Sequence, residues 1–292
     1  MAHKAGFVNI IGVPNVGKST LCNTLVGERL SIITSKAQTT RHRIFGIVSK
    51  DDYQIVFSDT PGILKPAYKL HEKMMHFVAD AFQDADIFLF IVDIFDDSIL
   101  EDSYIKKLAN AEVPVLLLIN KIDLADKEKL KEKIDFWKNL IPKAEIIPIS
   151  ALKGTNVEKV MPRILELLPE SPPYFDKEQL TDKPERFFVS EIIREKILMN
   201  YKKEIPYSTE VIIESFLEDE KIIRIRAIIF IERESQKGII IGHKGESLKK
   251  TGTEARIECE KFFGKKIHLE LYVKVDKDWR NNDTKLNWYG YS

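Results

Sequence analysis

Gly12-Val13-Pro14-Asn15-Val16-Gly17-Lys18-Ser19 follows the apolar run Phe7-Val8-Asn9-Ile10-Ile11 and opens a helix-like stretch, Ser19 to Glu28. The pattern is G-x-x-x-x-G-K-S between a strand and a helix. Its two glycines let the backbone curl so that N–H groups point inward at phosphate oxygens. Lys18 supplies a positive charge for the outer phosphates. Ser19 offers a hydroxyl to Mg²⁺, and the helix N-terminus adds its partial positive charge. The alternative, a turn that binds nothing, would leave Lys18 unpaired among backbone donors. The stretch therefore predicts a nucleoside triphosphate cradled by Gly12, Asn15, Val16, Gly17, Lys18, Ser19 and Thr20, and leaves the base open.

Working outward, the first half alternates apolar runs with amphipathic stretches. Strands are expected at 7–13, 53–59, 87–93, 113–120 and 145–150, without the alternation of a half-exposed sheet. Helices are expected at 18–28, 71–85, 103–111, 127–141 and 157–168. Repeated β–α units predict an α/β, doubly wound, mostly parallel sheet. Residues 43–49 add an antiparallel edge strand. Pro169-Glu170-Ser171-Pro172-Pro173 ends this region, and a stiff linker is expected next. The expected division is 1–170, a linker at 171–183, and a smaller α+β domain at 184–292. In the latter, a helix (186–201) precedes strands at 209–217 and 222–232, joined as a hairpin by Glu218-Asp219-Glu220. A helix broken near Gly252 and a last strand, 267–275, follow. The segment from Trp279 is expected to be a frayed tail or a docking segment.

Composition narrows the class. The 292 residues carry 45 basic and 45 acidic groups, so no global field favours a polyanion. Residues 1–173 hold 22 basic and 23 acidic groups, and the rest hold 23 and 22. Cys22 and Cys259 read as buried apolar residues, which fits a reducing compartment. No signal-type region and no apolar run near 18 residues is present, so a soluble cytoplasmic protein is expected.

Three further motifs fall where such a sheet would gather them. Asp59-Thr60-Pro61-Gly62 closes the strand expected beside the first. Asp59 can hold Mg²⁺, and Gly62 can bring its N–H to the γ-phosphate. Asn120-Lys121-Ile122-Asp123 ends the most apolar strand. The Asp123 carboxylate can accept two hydrogens from guanine N1 and N2, a pair adenine lacks. Asn120 and the Lys121 stem can brace the base. Ser150-Ala151-Leu152-Lys153-Gly154 could bring backbone N–H groups to the guanine oxygen.

Together, N-V-G-K-S, D-T-P-G, N-K-I-D and S-A-L-K-G resemble the pattern of translation-factor-type GTPases in order and spacing. The resemblance implies a switch threonine that closes on Mg²⁺, either Thr39 or Thr40, with Thr40 favoured. Ras-like GTPases place a glutamine after D-x-x-G to orient water. Here the residue is Ile63, which can neither donate nor accept. Hydrolysis is therefore expected to be slow and to rest on positioning and charge. In related GTPases an asparagine at the place of Asn15 helps to hold K⁺, and the resemblance implies that role for Asn15.

In the second half, Ile241-Gly242-His243-Lys244-Gly245 is a G-x-x-G beside an apolar run. Between Lys237 and Lys266 lie eight basic and four acidic residues, Lys249 and Lys250 among them. Two glycines around two polar residues let a nucleic-acid backbone approach closely. The order helix, strand, strand, G-x-x-G, helix, strand resembles a type II KH domain, which implies binding of single-stranded RNA. This pairing of domains, with Lys36-Ala37-Gln38-Thr39-Thr40-Arg41-His42-Arg43-Ile44, resembles the Era family of bacterial GTPases over nearly the whole chain. That implies a monomer acting on the 3′ end of small-subunit ribosomal RNA during ribosome assembly, with peripheral membrane association in some accounts. A GTPase switch whose C-terminal adaptor binds a protein or membrane is the competing reading.

Overall fold

The computed structural model describes residues 2–36, 38–96 and 102–291, with Asp102 described by its backbone only. The chain divides into two compact units. The first holds residues 1–31, 40–65 and 74–182, and the second holds 32–39, 66–73 and 183–292.

In chain order the elements up to residue 167 are β1 (Lys4–Ile11), α1 (Lys18–Val26), β2 (Ile44–Ser49), β3 (Tyr53–Asp59), α2 (Lys69–Gln83), β4 (Ile87–Asp93), α3 (Asp102–Ala109), β5 (Val115–Asn120), α4 (Lys127–Leu140), β6 (Glu145–Pro148) and α5 (Val160–Leu167). The sheet order is β2-β3-β1-β4-β5-β6. Only β2 runs antiparallel, at the edge. β4 and β5 are almost wholly buried runs of Ile, Leu, Val and Phe, as strands covered on both faces must be. The connections reverse direction at β1, which lies between β3 and β4. Loops at the C-terminal ends of strands converge at such a switch point.

The expected linker is not a free tether. Gln54 Oε1 accepts from the Tyr174 and Phe175 N–H groups at 2.7 and 2.9 Å, and Gln54 Nε2 donates to the Phe175 carbonyl at 2.8 Å. Ile47 N donates to Leu180 O at 2.8 Å, and Phe45 N to Asp182 Oδ1 at 2.9 Å. Both N–H groups belong to the edge strand β2. The segment after the prolines satisfies donors that an open edge would leave unpaired.

The second unit comprises α6 (Glu185–Asn200), β7 (Thr209–Glu218), β8 (Ile222–Ile231), α7 (Glu234–Ile241), α8 (Glu246–Phe263), β9 (Lys266–Val275) and α9 (Asp283–Trp288), besides the short pieces 32–39 and 66–73. β8 is central, antiparallel to β7 and parallel to β9. Its core packs Ile193 and Ile197 of α6 with Ala227 and Ile229 of β8 and Ala255 and Cys259 of α8.

One expectation is corrected here, and of the two alternatives for the C-terminal segment one is met. α8 runs unbroken through Gly252, where a Cβ would come within 3.1 Å of Leu271 Cδ1 on β9. That glycine serves close helix–strand packing and does not end the helix. The C-terminal segment is folded rather than frayed. Trp279, Leu286 and Tyr291 are buried, Trp279 Nε1 donates to Ser208 O at 3.1 Å, and the Tyr291 hydroxyl donates to Glu210 at 2.7 Å.

Candidate functional site

The loop after β1 is closed by space as much as by conformation. A Cβ on Gly12 would lie 2.3 Å from the Ile91 carbonyl oxygen, and one on Gly17 would lie 2.2 Å from Asn120 Nδ2. Asn15 is exposed and sits at φ 65°, so the loop crest is left-handed. Val16 is buried beneath it, and Thr20 is half-buried in the first turn of α1. Lys18 is buried, with its ammonium donating to Val13 O at 2.8 Å. Burial lowers its pKa to about 8, against the opposing pull of Asp59. A phosphate would restore what this ammonium lacks.

Ser19, Thr40 and Asp59 converge. Ser19 Oγ lies 2.9 Å from Thr40 Oγ1 and donates to Asp59 Oδ2 at 2.8 Å. Thr40 Oγ1 is 3.4 Å from the same oxygen. The other oxygen, Asp59 Oδ1, is buried without a hydrogen-bond partner among the described residues. Burial raises the Asp59 carboxyl pKa, while the Ser19 hydrogen bond and the Lys18 charge lower it. Two hydroxyls around a carboxylate with an unused oxygen make a hard-oxygen donor set that fits Mg²⁺. Thr39 Oγ1 donates to Lys36 O at 2.6 Å and lies 2.8 Å from Thr34 Oγ1. Ala37, in the same stretch, lies outside the described residues.

Gly62 packs against the phosphate loop, where a Cβ would meet Pro14 N at 2.6 Å. The next residue, Ile63, is buried, and its N–H donates to Gly12 O at 3.0 Å. Its side chain has no polar atom with which to orient water.

At the same end of the sheet, Asn120 ties three motifs together. Its Nδ2 donates to Val16 O at 2.7 Å, and its Oδ1 accepts from Ala151 N at 2.9 Å. Ser150 Oγ donates to Asp123 Oδ1 at 2.6 Å, aligning an exposed carboxylate. Lys121 takes a left-handed backbone, φ 66°, and pairs with Asp93 at 2.5 Å. Leu152 is 78 % exposed, an apolar side chain open to solvent beside these polar groups.

In the second unit, Ile241 ends α7, and Gly242 to Gly245 join it to α8. Gly242 (φ 73°) and Gly245 (φ 82°) both require positive φ, as does Lys244 at φ 47°. A Cβ on Gly242 would meet Ser247 Oγ at 2.2 Å, whereas Gly245 faces open space. His243, Lys244, Lys249 and Lys250 are exposed.

Comparison with known proteins finds matches for both units. Residues 7–121 match the family described as 50S ribosome-binding GTPase, and residues 204–280 match the KH domain. The GTPase Era of Syntrophus aciditrophicus is 48 % identical over 292 residues, covering 99 % of this chain and 95 % of that protein. The GTPase Era of Staphylococcus epidermidis is 45 % identical over 291 residues, covering 99 % and 97 %. The chain belongs to the Era family of GTPases. A crystal structure of an Era in complex with MgGDPNP and nucleotides 1506–1542 of 16S ribosomal RNA superposes with a TM-score of 0.94. It is 39 % identical and covers 99 % of both chains. A variant of Aquifex aeolicus Era bound to GDP·AlF4⁻ has a TM-score of 0.93, with 39 % identity and 99 % of both chains covered.

In this Era-family chain the fold brings the P-loop, D-T-P-G, N-K-I-D and S-A-L-K-G residues to one sheet end. Asp93 escaped sequence reading, because an aspartate ending an apolar strand looks like any strand terminus. The available signal was register: Asp93 stands opposite Asn120, the first residue of N-K-I-D.

Proposed function

We propose that this Era-family GTPase is a ribosome-assembly factor that binds the 3′ region of small-subunit ribosomal RNA through its KH domain and uses GTP as a clock for that contact. What carries the reading is the likeness, over 99 % of the chain, to an Era that holds MgGDPNP and 16S ribosomal RNA together. In the nucleotide unit, Lys18 and the N–H groups from Gly12 to Thr20 bind and orient the phosphates. Ser19, Thr40 and Asp59 would hold Mg²⁺, which when bound screens charge between the β- and γ-phosphates. The convergence of the Thr40 hydroxyl on Ser19 supports Thr40 over Thr39 as the switch threonine. Asp123, aligned by Ser150, accepts from guanine, while Asn120 and Lys121 brace the base. Ile63 cannot position water, so intrinsic turnover is slow. Asn15, exposed at the loop crest, would hold K⁺ in place of an arginine finger. Equal hydrolysis rates in K⁺ and Na⁺ buffers would count against that role.

Ile241 to Gly245, with Lys249 and Lys250, supply a close backbone approach and positive charge for single-stranded RNA. The protein acts as a monomer in the cytoplasm, where subunits are assembled, and any membrane association is peripheral.

Two measurements test this reading. Asp123→Asn should shift preference from guanine to xanthine nucleotides. The double variant Gly242→Asp, Gly245→Asp should lose binding to a 16S 3′-end fragment while keeping GTP affinity. If it stays folded and binds that fragment like wild type, the C-terminal unit is an adaptor for a protein or membrane partner.

A further inference from the structure

Lys121 is held before any base arrives. Its ammonium pairs with Asp93 Oδ2 at 2.5 Å, with the lysine side chain 35 % and the aspartate 16 % exposed. The second oxygen, Asp93 Oδ1, accepts from Phe95 N at 2.9 Å, so the carboxylate is fixed at both ends. Asp93 and Asn120 are register partners on β4 and β5, and Ile94 N donates to Asn120 O at 3.1 Å. The turn that follows Asp93 is tied back to α4, where Lys133 Nζ donates to Asp96 O at 2.9 Å. Asp93 thus stands on a strand end anchored on two sides.

A free lysine carries rotamer entropy that must be lost when its stem is pressed against a ligand. Pinning the ammonium removes that freedom in advance and presents the four-carbon stem as a fixed apolar rail. Lys121 also takes a left-handed backbone, which a non-glycine residue keeps only where its surroundings enforce it. Two residues on, Asp123 inherits the placement of this turn through Leu124 N, which donates to Lys121 O at 3.1 Å.

We infer that Asp93 is a positioning residue for guanine recognition, acting through Lys121 and touching neither base nor phosphate. The inference rests on the base-site reading above, in which Asp123 and the Lys121 stem meet the guanine. Asp93→Asn keeps an acceptor for Phe95 N and removes the charge that pins Lys121.

The test uses the full chain and N-methylanthraniloyl-GDP. Asp93→Asn should weaken its affinity about tenfold, the range of one charge-assisted hydrogen bond, mainly through faster release. The kcat at saturating GTP and the affinity for inorganic pyrophosphate should stay within about twofold of wild type, since the phosphate loop is untouched. Lys121→Met should show a similar loss, and the double variant should lose no more than either single variant. If Asp93→Asn binds like wild type, if the two losses multiply, or if pyrophosphate binding falls in parallel, the inference is overturned. Should Asp93→Asn not fold, Asp93→Glu carries the same comparison, with an intermediate loss expected. Asp123→Asn separates the two readings. If it fails to favour xanthine, the base site itself is misread. If it does favour xanthine while Asp93→Asn changes nothing, only the role of Asp93 falls.

Discussion

The phosphate loop and the G-x-x-G loop each turn on two glycines, yet they use them differently. At 12–17 the glycines answer to volume as well as to dihedral angle, with φ 153° at Gly12 and 104° at Gly17. Backbone from β4 and the Asn120 amide occupy the space a side chain would take. At 242–245 both glycines also take positive φ, but only Gly242 of the pair is crowded, by the side chain of Ser247, while a Cβ on Gly245 would meet nothing within 4 Å. The first loop is a rigid mould inside a buried sheet, suited to a ligand of fixed shape. The second is an exposed corner between two helices, suited to a polymer backbone that must slide close. A glycine motif thus reports close approach in both places, but only packing says whether the neighbour is the protein or the ligand.

Substitutions should separate the two loops, and the largest effect belongs to the mould. Gly12→Ala places a methyl group against a backbone carbonyl that cannot rotate away. Nucleotide affinity should fall at least about 100-fold and stability by about 3–5 kcal/mol, read by calorimetry and chemical denaturation. Gly12→Ala binding GTP like wild type would erase the contrast.

Next comes a pH effect confined to the phosphate loop. The folded, nucleotide-free protein holds Lys18 at about 8, below the 10.5 of the free side chain. Between those values the unfolded chain binds more protons than the folded one, so stability rises with pH across that window. The gain should be about 1–3 kcal/mol and should vanish in Lys18→Met. Saturating GDP with Mg²⁺ should also flatten it, because phosphate pairs the ammonium. A flat profile for the nucleotide-free protein would show that Lys18 is not desolvated.

The smallest effects lie in the G-x-x-G corner. Gly245→Ala should cost about 1 kcal/mol, from positive φ alone. Gly242→Ala should cost about 1–2 kcal/mol more, since a Cβ there would lie 2.7 Å from Ser247 Cβ, which rotation does not move, so the start of α8 must shift. Both should leave GTP affinity unchanged while weakening RNA binding. Equal losses at the two positions would mean that the start of α8 moves aside freely.

Much of this was legible in the residues. Strand and helix positions in the first half follow from apolar runs, and the site motifs announce themselves because phosphate and guanine chemistry constrains residue type at fixed spacing. The rest was hidden for physical reasons. A glycine in a helix reads as a break, but Gly252 sits where α8 must approach Leu271. Pro172-Pro173 reads as a spacer, but the following segment caps the N–H groups of β2. The aromatic residues after Trp279 carry no period that distinguishes a tail from a docked segment, yet Trp279 and Tyr291 are buried.

By itself the sequence determined that this chain has a G-x-x-x-x-G-K-S loop, an N-K-I-D turn and a G-x-x-G corner on two different sheet architectures. These depend on short-range geometry, where neighbours along the chain are neighbours in space. Tertiary structure alone decided which threonine faces Asp59, that Asp93 pins Lys121, and that Asn120 binds the phosphate loop to the S-A-L-K-G turn. Each of those pairs spans more than 15 residues of chain. Their choice of partner is made by the order in which strands pack, which no local pattern encodes.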